Sequence, residues 1–480
     1  MGRMLTTKAL RPRTEPVGAP RQSPQRAAVP APVLPVSVLT PREPFEQSER
    51  DNPLRKIAFF AGLGFIFLRL SILSELLLYA THLNFYLLYI FAPPAILGVL
   101  ATGGIGRTLR SNAGKFWLAY FVWMIIGTPF SSWKGESTFL VLGYARFVLP
   151  MLFVAGGLAM NWKEIRMLFY TFAAAALVNL STARLLSKTD AEGRTVLAAS
   201  GNIGNSNDLG AQLLLVLPFL VFVVLDRKRN IVLRLALVPL LAYGVWVVLG
   251  TASRGCMIAL VAMFLFALFR ATPGQRAATF AFGLIMALTV PFLLSSNVRA
   301  RLSTLFSENN MDPGLAAEAR ESRDVREYVF KQSVKYTLMH PIFGVGVGQF
   351  SNYEGSEQVS AGNHGKWTVT HNFMTQISSE CGIPALIFVL VSLGSGMLAV
   401  GRAYRMARKK GFRDIENACF CFQLAMIGYV GSIVFLAQAY HYYLPLMVGF
   451  AIAISAAATR YMSAEQKPAV LSPAPPLAVG

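Results

Sequence analysis

Acidic residues are scarce in this sequence: 24 Asp and Glu stand against 44 Lys and Arg, and charged side chains of either sign make up only 14% of it. A soluble domain keeps about a quarter of its residues charged, so the shortage excludes a chain that faces water along most of its length. Cysteine is scarcer still. Cys256, Cys381, Cys419 and Cys421 show no CxxC spacing, which leaves no basis for a disulfide framework or a structural zinc site. No DxD sequence is present to hold a divalent ion against a nucleotide diphosphate, and no acidic residue forms a ligand set with His340 and His364. The reading is therefore one without metal or cofactor.

What the chain has in abundance is long apolar runs, with 54% hydrophobic residues and a mean hydropathy of +0.49. A helix crossing the hydrocarbon core needs about 20 apolar residues. Counted by that length, candidates fall near 57 to 79, 83 to 101, 114 to 130, 138 to 160, 165 to 186, 209 to 225, 231 to 250, 255 to 270, 277 to 296, 383 to 400, 416 to 437 and 442 to 462. The expectation is an all-α, polytopic transmembrane helix bundle of about 12 spans. Residues 231 to 269 would reach about 58 Å as one helix, nearly twice the bilayer core. They must fold back, and the polar break Thr251-Ala252-Ser253-Arg254-Gly255 places Arg254 at a membrane surface.

The net charge of +20 reads as topology rather than as a nucleic-acid surface, because the basic residues cluster in short segments between apolar runs. Alternate connections carry Arg107, Arg110 and Lys115, then Lys163 and Arg166, then Arg227 to Arg234, then Arg402 to Arg413, which predicts the cytoplasmic side and puts both termini there. Residues 1 to 56 read as a disordered, basic, Pro-rich cytoplasmic tail, whose end at Arg55 and Lys56 is expected to stay at the cytoplasmic surface against anionic lipid. Nine spans follow over 57 to 296, one long extracytoplasmic loop over 297 to 371, three spans over 372 to 462, and a short cytoplasmic tail over 463 to 480. A loop of that length is the natural place for chemistry.

Inside the loop, Glu318 to Met339 alternates charge with Val325, Val329, Phe330, Val334 and Leu338 at helical spacing, which predicts an amphipathic helix. Arg320, Arg323 and Arg326 fall on one slanting stripe of it, either a solvated or headgroup-facing surface or a binding face. Next come His340-Pro341 and the alternating glycines Gly344, Gly346 and Gly348. With no strand before them and no helix opening on them, they do not read as a dinucleotide site; a tight backbone path approaching the membrane surface or a ligand is expected instead. Thr370-His371-Asn372 closes the loop ahead of a short helix containing Glu380. His371 there reads either as a helix cap or as a base able to accept a proton near neutral pH. Arg146, about eight residues inside the fourth span, calls for an anionic partner if buried, or snorkels to the interface. Asn207 or Asp208, ahead of the sixth span, is expected to cap its helix.

Four segments in order resemble the O-antigen ligase and O-antigen polymerase family of bacterial membrane glycosyltransferases: GNSNDLGAQLLLVLP from 204, TASRG from 251, the stretch from Arg326 into HPIFGVGVGQF, and THNFMTQISSECGIP from 370. The resemblance covers roughly 57 to 462. It implies transfer of a glycan from undecaprenyl diphosphate to a glycan or lipid-core acceptor at the outer face of the inner membrane. It also implies His371 as the catalytic residue and Arg254 and Arg326 as diphosphate-binding residues; beside these, the reading keeps Arg146, Arg323, Asn372 and Glu380 as secondary candidates. Guanidinium forks suit diphosphate oxygens. Ligase and polymerase share this donor chemistry and are not separated by it. The alternative from another class is a transporter or flippase of polysaccharide precursors, with Arg69, Glu75 and Arg146 lining a path.

Overall fold

The computed structural model describes residues 51–190, 194–198, 205–293, 298–299 and 313–465. Nearly all of the Pro-rich tail and most of the C-terminal tail lie outside the described residues. Apart from one two-stranded hairpin, the described secondary structure is helical.

Helix α1 (Pro53–Leu70) is N-capped by Asn52, whose side chain accepts the Leu54 N–H at 2.9 Å. Helix α2 (Leu73–Thr81) is bent 67° from it, so the single span expected over 57 to 79 is a broken pair. Side chains satisfy the backbone groups that the break exposes. Leu70 O accepts from Asn179 Nδ2 at 3.0 Å and from Gln212 Nε2 at 2.6 Å, while Asn179 Oδ1 accepts the Ile72 N–H at 3.0 Å.

There follow α3 (Leu87–Ala101), α4 (Gly104–Leu109), α5 (Asn112–Gly127), and α6 (Lys134–Gly143), which runs through a π turn at Tyr144–Val148 into α7 (Leu149–Gly157). Helix α8 (Trp162–Leu186) opens on a capping box between Asn161 and Glu164. Strands β1 (Ser187–Thr189) and β2 (Thr195–Leu197) form the antiparallel hairpin, which the apolar-run reading did not anticipate. Helices α9 (Ser206–Leu225), α10 (Ile231–Gly250), α11 (Arg254–Arg270) and α12 (Pro273–Leu293) come next. The fold-back falls at the polar break, with Ala252 in the left-handed region at φ 50°.

The remaining helices are α13 (Pro313–Met339), α14 (Phe350–Ser360), α15 (Phe373–Cys381), α16 (Ile383–Lys410), α17 (Arg413–Ile433) and α18 (Tyr443–Ala464). Helix α13 covers the stretch whose periodicity is amphipathic in the sequence.

Six helices among the described residues are long and apolar enough to cross a membrane: α6 through α7, α8, α9, α10, α16 and α18, or seven if the bent pair α1–α2 counts as one span. Each of the twelve apolar runs overlaps a helix, but α3, α5 and α11 have 15, 16 and 17 residues, short of the roughly 20 that a straight crossing needs. Length and apolarity therefore support six or seven spans of the twelve expected.

Two of these spans show why composition alone misplaces a helix. Both α9 and α10 are apolar all round, yet 78% of the α9 window is buried in the bundle against 22% for α10. The first is surrounded by protein, while the second leaves most of its apolar surface outside the bundle, as a lipid-facing helix does. At the centre, Phe169 and Phe172 of α8 meet Phe219 and Phe222 of α9 and Phe450 of α18, with centroids as close as 4.4 Å. Helices α7 and α18 cross through Gly156 and Gly449; a Cβ on Gly449 would lie 2.3 Å from the Leu152 carbonyl oxygen.

One sequence expectation is corrected at the start of α1. Arg55 does not meet lipid. Its guanidinium is fully buried and grips Glu164 with two bonds of 2.8 and 3.1 Å, donating also to Leu158 O at 2.7 Å. The capping glutamate of α8 is thus also the counter-charge of α1.

Candidate functional site

Several helix ends converge at one end of the bundle. Helix α11 starts at Arg254 with Ser253 as its N-cap. Asn205 caps α9, accepting the N–H groups of Asn207 and Asp208 at 2.9 and 3.0 Å; the cap is neither of the two residues expected. Asn372, not His371, caps α15, accepting from Met374 and Thr375 at 2.8 and 3.2 Å. A helix N-terminus presents N–H groups and the positive end of the helix dipole, so three of them turned to one place favour a negatively charged ligand.

The place is a cavity of about 440 Å³, lined among others by Arg194, Arg254, Arg323, Arg326, His371 and Asn372. Asn207, Glu327 and Thr375 also line it. Sequence segments more than a hundred residues apart therefore bring four arginines and a histidine together. The lining has a single carboxylate among the described residues, Glu327, which pairs with Lys331 at 2.7 Å. Burial, followed by the charge of Arg326, lowers the His371 pKa from its ordinary value. The imidazole is then neutral near pH 7 and able to accept a proton.

The packing of α13, α14 and α15 fixes the distance between Arg326 and His371. Tyr328 donates to Glu354 of α14 at 2.8 Å, and Lys335 pairs with Glu357 at 2.8 Å. Glu354 is buried and accepts the backbone N–H groups of Lys366 and Trp367 at 3.0 and 3.1 Å, which steers the returning chain toward His371. Thr337 and Ser378 join α13 to α15 through their hydroxyls at 2.8 Å.

The glycine segment completes this frame, its backbone pairing with the end of α15. Val345 and Gly346 donate to the carbonyls of Ser379 and Glu380 at 2.8 and 3.1 Å, supplying donors for the last turn of α15. Gly344 sits at φ 70°, and a Cβ there would lie 2.3 Å from the Glu380 carbonyl carbon. Only glycine meets both demands.

Two secondary candidates fall outside the cavity lining. Glu380 is buried at the end of α15, where its carboxylate accepts the Gly348 N–H at 3.1 Å and the hydroxyl of Tyr440. Arg146 is exposed on the π turn with its guanidinium 4.9 Å from the Phe147 ring, so it is not the buried cation that would demand an anion. The side chain of Arg320 lies outside the described residues. Arg69 stacks on Tyr442 at 5.0 Å. Among the described residues, no three His, Cys, Asp or Glu side chains converge as metal ligands.

The sequence reading missed Arg194. Its signal was its side: the charge bias collects basic residues at the other end of the bundle, so an arginine beside a turn at this end stands out.

No curated protein matches the chain. Residues 239–390 match the family described as O-Antigen ligase, a stretch that starts in α10 and ends in α16 and so contains Arg254, α13 and His371. The chain is accordingly a helical membrane protein that carries, over residues 239–390, a stretch similar to the O-antigen ligase family.

Proposed function

We propose that the protein transfers a glycan from undecaprenyl diphosphate to an acceptor hydroxyl at the outer face of the bacterial inner membrane, with inversion and without a metal. The observation that carries this reading is the single cavity shared by Arg254, Arg326, Arg323 and His371. The donor is a diphosphate diester, and guanidinium forks give its oxygens paired charge-assisted bonds. His371, neutral for the reasons given, takes the proton of the acceptor hydroxyl as that oxygen attacks the anomeric carbon. The bond from that carbon to the phosphate oxygen breaks, and its electron pair leaves with the diphosphate. Fixed cations beside the departing oxygen lower the barrier because they need no reorganisation when the charge arrives. One displacement inverts the anomeric carbon, so no carboxylate nucleophile is required.

The termini are cytoplasmic and the cavity extracytoplasmic in this reading, which the charge bias of the connections supports. Asn372 and Arg323 serve the site as cap and as additional cation. Glu380 acts from behind, by holding the glycine segment. The acceptor is a second glycan for a polymerase or a lipid core for a ligase.

The test is transfer by the purified protein in nanodiscs with an undecaprenyl-diphosphate oligosaccharide, with and without a lipid A core acceptor, products being separated by size. A ladder from donor alone identifies a polymerase, and one shifted band requiring the acceptor identifies a ligase. No product in either arm, with glycan export lost on changing Arg69 or Glu75, overturns the proposal in favour of a transporter.

A further inference from the structure

A second cavity, of about 470 Å³, lies between the end of α8, the start of the hairpin, α10 and α12, and shares no lining residue with the arginine cavity. Arg184 is the one charged residue of its described lining, and no carboxylate among the described residues pairs with it. Beside it stand the hydroxyls of Ser187 and Tyr243 and the indole of Trp246. The Trp246 ring stacks on Tyr243 with centroids 5.6 Å apart, and its Nε1–H is buried without an acceptor. The third wall, Ile285, Met286 and Thr289 of α12, is almost wholly apolar. The surface around the gap is apolar as well: Leu185, Ile285 and Leu288 are 74%, 59% and 61% exposed. On a membrane protein such side chains meet acyl chains, and a Tyr–Trp pair beside an arginine is the composition of the interface where chains give way to headgroups.

We infer that this gap holds the headgroup of an anionic phospholipid, its phosphodiester on Arg184 and its chains along the exposed faces of α10 and α12. One guanidinium with two neighbouring hydroxyls matches a single phosphodiester. A zwitterionic head brings an ammonium as well, for which the lining supplies no carboxylate, so the charge balance favours a head with a net negative charge. The position of the gap gives such a lipid a structural effect. Trp246 and Met286 pack against the cluster formed by Ala252 in the fold-back that precedes Arg254. Gly250, at the end of α10, lies so close to β2 that a Cβ there would come within 2.7 Å of the Thr195 hydroxyl. A headgroup seated between α8, α10 and α12 therefore braces α10, which the bundle itself buries little, beneath both the hairpin and the fold-back. The inference concerns lipid binding and stands independently of the transfer proposed above.

The experiment places the full-length protein in nanodiscs with phosphatidylglycerol or phosphatidylcholine carrying a photoactivatable group beside the head, and maps the labelled peptides. Expected in the wild type is labelling of residues 242 to 246 and 285 to 289 that is about fivefold stronger with phosphatidylglycerol. Arg184→Gln should lower it there to the phosphatidylcholine level, while labelling beside the basic connection from Arg402 to Arg413 stays unchanged and reports an intact fold. Arg184→Lys should keep the preference, because a point charge also attracts a single phosphodiester. Ala242→Phe, which fills the gap and leaves Arg184 in place, should lower labelling by both lipids. Equal labelling by the two lipids in the wild type overturns the inference, as does phosphatidylglycerol labelling of the gap that survives Arg184→Gln. Loss of that labelling on adding undecaprenyl diphosphate, but not on adding unlabelled phosphatidylglycerol, overturns it too and gives the gap to the glycan carrier.

Discussion

Arg166 and Arg254 stand at opposite ends of the same bundle, one between helices and one at the wall of a cavity. Arg166, near the start of α8, reaches Asp226 after α9 at 2.7 Å and Asp414 in α17 at 2.9 Å, and Trp162 donates to that same Asp414 at 2.8 Å. Arg55 is treated likewise by Glu164. At that end the protein supplies its own carboxylates, and each arginine becomes a staple between helices distant in sequence. At the other end, the hairpin, α11 and α13 each bring arginine to one cavity, with Glu327 the single carboxylate among its described lining residues. Like charges so gathered raise the potential of the cavity and destabilise the fold locally. A ligand of opposite charge relieves that. The same residue type thus staples helices at one end and lines a cavity at the other, where the proposed diphosphate would meet it.

The largest effects should come from exchanging the two treatments. Arg254→Ala and His371→Ala are each expected to lower glycan transfer by about 10²–10³-fold or more, with insertion and melting near normal. Arg254→Lys should also be poor, because an ammonium cannot reproduce the fork. Near-normal transfer by either Arg254 variant removes that residue from the diphosphate site. At the other end, Arg55→Met leaves Glu164 buried without its partner, a loss of about 3–5 kcal/mol in stability. Transfer per folded molecule should stay close to wild type. Thermal unfolding in detergent beside a transfer assay reads both. If Arg55→Met instead lost transfer at unchanged stability, the comparison would be inverted.

A smaller effect sharpens the electrostatics of the cavity. Burial and then Arg326 lower the pKa of His371, and a base works in its neutral form. Transfer should therefore hold through neutral pH and be lost only as pH falls through a value below the ordinary histidine value of about 6.5. Arg326→Gln removes the second cause but not the first. The acid limb of kcat/KM should move upward, stopping short of the ordinary value because burial remains. An acid limb that stays in place would show that the Arg326 charge does not reach the imidazole.

Legibility in the sequence followed the same division. Apolar runs located the helices because burial in lipid or protein both demand them, but they could not tell α9 from α10, nor a short helix from a span. The fold-back at Thr251 to Gly255 was readable because one helix could not be that long. Arg254, Arg323, Arg326 and His371 were nameable from motifs whose side chains the cavity does bring together. Arg55 was misread because its partner lies far away in sequence, and Arg194 went unseen although its partner Asp190 is only four residues away. Glu164 lies 109 residues from Arg55, and the turn holding Arg194 lies between two apolar runs in a segment too short to register as strands. The alternating glycines announced a tight path, while its partner, the last turn of α15, became visible only once α13 and α15 were packed.

The smallest expected effect is at Arg146, and it is informative because it follows neither treatment. Arg146 is exposed on the π turn, over the Phe147 ring, and does not line the cavity. An exposed cation–π contact is worth about 0.5–1 kcal/mol, so Arg146→Ala should shift melting slightly and leave transfer within about twofold of wild type. The value of the variant lies in its contrast with Arg254→Ala, which removes the same guanidinium from the same bundle. If position in the cavity is what turns an arginine into a functional residue, the two differ by orders of magnitude in transfer. If Arg146→Ala also abolished transfer at unchanged stability, the donor site would have to extend across the π turn.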